Sequence, residues 1–144
     1  MSTTVKQLLE VKGRHVVVAA SDQTLLQVAG ILRDKAIGGV VIKDEQDRIA
    51  GIFTERDLVR AVAENGAAAL QQPVASVMTV DVQKCGEETS INQLMEMMSA
   101  GRFRHVPVEK DGQLIGIVSI GDVVKWRIRE IELEAEQIKA YISS

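Results

Sequence analysis

The chain has 144 residues, 46% of them apolar and 26% charged, a globular composition with enough length to bury a core without disulfide or metal staples. Lys and Arg number 17 against 20 Asp and Glu, a net charge of −3, which argues against the broad positive field of nucleic-acid binding. Aromatics are only 3%, too few for a base-stacking platform. Cys85 is the single cysteine and His15 and His105 the only histidines, so neither an internal disulfide nor a His/Cys zinc site can be assembled. The longest strongly apolar run, Val16 to Ala20, is far short of the ~20 residues of a membrane helix. The N-terminal residues carry no secretory h-region, and a cytoplasmic protein is expected.

In chain order, an extended segment is predicted at Val16-Val17-Val18. A helix over about Thr24 to Lys35 follows, with Thr24 as its cap and Leu25, Val28, Ala29, Ile31 and Leu32 in a 3.6-residue period. A hairpin comes next, Gly39 to Ile42 and Ile49 to Phe53, across a polar turn. A helix opened by Thr54 closes the unit, and the stretch from Glu64 to Pro73 ends it. The same order then recurs. Val80-Asp81-Val82 is extended, and a helix spans about Ser90 to Ala100 with Ile91, Leu94, Met95, Met97 and Met98 on its apolar face. His105 to Val108 and Leu114 to Val118 form a hairpin, and a helix is opened by Ser119. The predicted fold is α+β, a β-α-β-β-α unit present twice. Units span residues 1–74 and 75–130, with 131–144 extending the last helix.

The repeat is visible in the residues themselves. Gly51-Ile52-Phe53-Thr54-Glu55-Arg56-Asp57 aligns with Gly116-Ile117-Val118-Ser119-Ile120-Gly121-Asp122 at an offset of 65. Upstream, an offset of 66 places Thr24-Leu25 on Ser90-Ile91 and Val40-Val41-Ile42 on Val106-Pro107-Val108. The one-residue change falls in the polar turns, where an indel costs little.

Each Gly-x-x-Thr/Ser-x-x-Asp motif sits where a strand becomes a helix, and it admits two readings. A hydroxyl at the N-cap with an acid three residues later is a capping box. Alternatively, the helix N-terminus attracts phosphate, the glycine lets a ligand approach the backbone, and the carboxylate accepts from both hydroxyls of a ribose. A second cluster, Arg102-Phe103-Arg104-His105-Val106-Pro107, is either a solvated basic turn or a phosphate clamp, with the Arg fork and His as donors. Gly38 and Gly39 occupy the equivalent positions of the first unit.

Taken together, the duplicated unit, the two motifs and the Arg-Phe-Arg-His-Val-Pro-Val strand resemble the CBS-domain family, and specifically small stand-alone bacterial proteins made of one CBS pair. The resemblance covers about residues 1–130. It implies two units packed with pseudo-two-fold symmetry, leaving two clefts for adenosine-containing ligands such as AMP, ADP, ATP, NAD(H) or S-adenosylmethionine. By this resemblance Asp57 and Asp122 hold ribose diols, Thr54 and Ser119 lie near phosphate, and Ile52 and Ile117 line adenine pockets with Ile37 and Phe103 beside them. Arg104 and His105 face the ligand held by Asp57, joined by Arg56. The other site receives Gly38, Gly39 and Gly121 instead, so unequal sites are expected, with Asp57→Ala costing more affinity than Asp122→Ala.

From Asp122 the last helix is predicted to run to about Ile142, with Val124, Ile128, Ile131, Ala135, Ile138 and Ile142 spaced 4-3-4-3-4. That stripe either packs on its own domain or forms a dimer contact. CBS pairs commonly form homodimers, which favours the second reading. The expected function is a non-catalytic regulatory module for adenine nucleotides, in energy or redox signalling, acting on an unidentified downstream protein. Two alternatives stand beside it. One is an interaction module with empty clefts. The other is an enzyme, for which only a Cys85 nucleophile with His105 as base presents itself; a structural thiol is the simpler account of Cys85.

Overall fold

The computed structural model describes residues 3–143. The elements are α1 (Val5–Lys12), β1 (Val18–Ala20), α2 (Leu25–Lys35), β2 (Gly39–Lys43), β3 (Ile49–Thr54), α3 (Glu55–Asn65), α4 (Ile91–Gly101), β4 (His105–Lys110), β5 (Gln113–Ser119) and α5 (Ile120–Ser143). Two short 3₁₀ turns, Gly66–Gln71 and Val74–Ser76, follow α3. The α+β class and the long last helix agree with the sequence reading.

The chain forms two compact units. One comprises residues 15–83, and the other joins residues 1–14 to residues 84–144. The N-terminal helix packs in the unit that contains the second repeat.

Within residues 15–83, β1 pairs parallel with β2, and β2 pairs antiparallel with β3. Thr24 caps α2 through a complete capping box with Gln27. Leu25, Val28 and Leu32 then point one helical face at Val40, Ile42 and Phe53, all buried. The strand β1 lies at residues 18–20, slightly later than the Val16-Val17-Val18 expected.

In the other unit, β4 and β5 form a two-stranded antiparallel sheet. Val80-Asp81-Val82 is not a strand. The counterpart of β1 is a single parallel bridge from Cys85 to Val108, made by Cys85 N–H donating to the Pro107 carbonyl at 3.0 Å and Glu109 N–H donating to the Cys85 carbonyl at 2.9 Å. The core gathers Leu94 and Met98 of α4, Val106, Val108 and Val118 of the sheet, Val123 of α5, and Val5, Leu8 and Leu9 of α1. Helix α1 has its own capping box between Thr4 and Gln7. It docks where α4 begins: Val5 N–H donates to the Thr89 carbonyl and Ile91 N–H to the Thr3 carbonyl, both at 2.8 Å. In the first unit, residues after α3 perform this service for α2, Leu25 N–H donating to the Gln72 carbonyl at 3.0 Å.

Cys85 is buried in this core, and burial pushes its thiol up from 9.0 to about 11. A nucleophilic cysteine needs the opposite shift. The native thiol keeps a proton that the unfolded chain releases, so stability falls as pH rises through the interval from about 9 to 11. An aromatic disulfide reagent at pH 8 is expected to label the native protein at least ~100-fold more slowly than the urea-unfolded one. Equal rates would mean the thiol is accessible.

Candidate functional site

Strand β3 delivers its last residue, Thr54, as the N-cap of α3, and β5 delivers Ser119 to α5 in the same way. The capping box is formed in both repeats. Asp57 Oδ2 accepts from Thr54 N–H at 3.0 Å and from the Thr54 hydroxyl at 3.2 Å, while Asp57 N–H donates to Thr54 Oγ1 at 3.3 Å. Asp122 Oδ2 accepts from Ser119 N–H at 2.8 Å, and Asp122 N–H donates to Ser119 Oγ at 3.2 Å. Two of the first three N–H groups of each helix have protein acceptors, because Glu55 N–H donates to the Gly38 carbonyl at 3.0 Å and Ile120 N–H to the Arg104 carbonyl at 2.8 Å. These bonds place Gly38 beside Thr54 and Arg104 beside Ser119, as the repeat predicts.

Capping engages one carboxylate oxygen, and the two acids differ in what else they meet. Asp57 is 5% exposed. Its Oδ1 accepts from the Thr79 hydroxyl at 3.4 Å and lies 3.5 Å from the Arg60 guanidinium. Thr79 is held there by backbone, exchanging hydrogen bonds of 2.9 and 2.8 Å with Ile52. Asp122 has a closer cationic partner, supplied by another helix: the Lys12 ammonium lies 2.6 Å from its Oδ2. The same ammonium donates to the Ile117 carbonyl. Burial raises the Asp122 carboxyl, but the Lys12 ammonium and the Ser119 N–H outweigh it and hold the group below the usual carboxylate range.

The motif glycines have a structural reason that differs from the expected ligand approach. A Cβ on Gly51 would stand 2.6 Å from the Thr79 carbonyl oxygen, and one on Gly116 would stand 2.9 Å from a Leu9 methyl. In each unit, protein packs over the glycine: the Met78–Thr79 segment in one and α1 in the other.

The other predicted residues divide between the units. Ile37, Gly38, Ile52 and Arg56 lie with Thr54 and Asp57 in residues 15–83; Phe103, Arg104, His105 and Ile117 lie with Ser119 and Asp122 in the other. Ile52 is buried, Ile37, Phe103 and Ile117 are half-buried, and Arg56 and Arg104 are exposed. The Phe103 ring covers the space above Gly101. His105 pairs in register with Ser119. A polar groove of about 650 Å³ in the first unit is lined by Asp57, Arg60, Glu64, Asn65, Gln72 and Ser76, with Ala61, Pro73 and Val77. Asp57 is the one predicted site residue on its wall.

Lys12, Thr79 and Arg60 were not found from sequence. Arg60, one helical turn after Asp57, had a legible signal. Lys12 had none, since it meets Asp122 only through the docking of α1. Among the described residues no cluster of His, Cys, Asp and Glu suits a metal ion, and no helix is long and apolar enough to cross a membrane.

Residues 5–64 and 74–129 each match the family model described as the CBS domain. A CBS-domain containing protein from Agrobacterium tumefaciens, solved as a crystal structure, is 54% identical with a TM-score of 0.86, over 88% of this chain and 95% of that one. A mitochondrial CBS domain-containing protein of Arabidopsis thaliana is 32% identical over 98% of this chain and 72% of its own length. The CBS domain pair of protein MJ0100, crystallised in complex with 5′-methylthioadenosine and S-adenosyl-L-methionine, is 26% identical with a TM-score of 0.80, over 90% of this chain and 99% of that one. With both repeats matched and the fold shared across these relatives, the chain belongs to the CBS-domain family and carries a pair of CBS domains.

Proposed function

We propose that this CBS pair is a non-catalytic regulatory module that binds adenosine-containing ligands through its two strand-to-helix motifs, with AMP, ATP or NAD(H) as the ligands to test first. The observation that supports it is the duplicated placement of a carboxylate, Asp57 or Asp122, at a strand-to-helix junction beside an isoleucine, in a chain whose relative MJ0100 was crystallised with two adenosine compounds. A carboxylate accepts both hydroxyls of a ribose, and Ile52 and Ile117 are the proposed neighbours of adenine. Arg104 and His105 are the proposed phosphate partners, with Arg56. An energy or redox signal would then be read as a change in the population of two states with different ligand affinity. The clustered apolar positions of α5 extend the reading to a homodimer. Val124, Ile128, Ile131, Ile138 and Ile142 are all at least half exposed, which supports that reading.

Titration calorimetry with AMP tests the reading. Asp57→Ala is expected to weaken binding about ten-fold or more, the worth of a charge-assisted hydrogen bond. Asp122→Ala is expected to cost less, since that site receives Gly38, Gly39 and Gly121 where the other has Arg104, His105 and Arg56. Equal losses remove the asymmetry. No binding of AMP, ATP or NAD(H) by the unaltered protein removes the function in favour of an interaction module.

A further inference from the structure

Lys12 closes α1, and the helix holds it in place. Val5, Leu8 and Leu9 are each no more than 2% exposed, and the Thr4 capping box fixes the start. The Lys12 side chain, 30% exposed, bridges the Ile117 backbone carbonyl and the Asp122 carboxylate, itself 19% exposed. Its repeat counterpart is closed differently. There, the backbone of Thr79 occupies both polar groups of Ile52, and the Thr79 hydroxyl reaches Asp57. Opening the Asp57 side therefore means moving a paired chain segment. Opening the Asp122 side means rotating one four-carbon side chain.

The two acceptors under Lys12 are a carboxylate and a carbonyl. A nucleoside carries donors for both, its sugar diol and its exocyclic amine. We infer that Lys12 is a built-in competitor at the second motif, its ammonium occupying the acceptors that the nucleoside must reach, so that ligand enters only in the fraction of molecules where Lys12 has swung away. This rests on the proposed role of Asp122 as a ribose acceptor. The observed affinity at that site is lowered by the closed fraction.

The test uses adenosine, because a ligand without phosphate cannot lose affinity through a missing cation. Calorimetry is run on the full chain with Asp57→Asn, so that heat reports the second motif. Adding Lys12→Met, which keeps the apolar stem, is expected to tighten adenosine binding about five-fold or more, corresponding to ~1 kcal/mol. Adding Asp122→Asn to that protein is expected to abolish the gain. Lys12→Gln serves as a second neutral variant, and a melting curve establishes that each protein is folded. Binding in the parent that is unchanged or weakened by both Lys12 variants overturns the competitor role and leaves the proposed function standing. Failure of the unaltered protein and every variant to bind adenosine or AMP overturns both.

Discussion

Leu9→Ala is expected to lower the stability of the protein by about 2–5 kcal/mol, the range for emptying a fully buried leucine site. Leu9 is completely buried, and its methyls lie against Gly116 in the middle of β5. They cannot be replaced by collapse of α1 without breaking the hydrogen bonds that fix the helix at Thr89 and Thr3. The comparison is Leu26→Ala in α2, where the side chain is 53% exposed and a loss under about 0.5 kcal/mol is expected. Urea melts of both variants decide the matter. A loss below about 1 kcal/mol for Leu9→Ala would mean that α1 is not part of the core of residues 84–144. Hydrogen exchange adds a spatial readout: amides of β4 and β5 should lose more protection than those of β2 and β3.

Gly51→Ala is expected to destabilise by about 2–3 kcal/mol, near the upper end for overpacking. Gly116→Ala, the same change in the second repeat, should cost about 1 kcal/mol or less. The difference follows from what each new methyl would strike. At Gly51 it would meet a backbone carbonyl of Thr79 at 2.6 Å and the Met78 side chain at 2.8 Å, and the carbonyl is tied to Ile52. At Gly116 the nearest atoms all belong to the Leu9 side chain, which can shift by a few tenths of an ångström where a paired backbone carbonyl cannot. Denaturation midpoints giving equal costs, or a reversed order, would contradict this account of the motif glycine.

Much of the fold is legible because its signals are local. The period of Leu25, Val28 and Leu32, the hydroxyls of Thr24 and Ser90 as caps, and the polar turns between strands each act within a few residues. Helices α2 and α4 and both hairpins lie close to where those signals place them. The capping reading of the two motifs is equally local, and both boxes are formed. Two elements escaped. The second extended segment lies at Cys85 rather than at Val80-Asp81-Val82, although the offset of 66 that carries Ile42 onto Val108 also carries Ala19 onto Cys85. Lys84-Cys85-Gly86 has no β-branched residue to advertise a strand, and one bridge to β4 is all that forms. Helix α1 has a local signature, Thr4 and Gln7 around Val5, Leu8 and Leu9, but eight residues are too few to be helical alone. It exists because it packs.

From the sequence alone came the duplication, the α+β order of each repeat and the two hydroxyl–acid motifs, since periodicity, caps and turns are written in neighbouring residues. Tertiary structure alone decided which unit α1 completes, which atoms lie over each motif glycine, and that a lysine at position 12 meets the acid at position 122. Those outcomes depend on burial and on contacts between residues a hundred positions apart, and no local pattern encodes them.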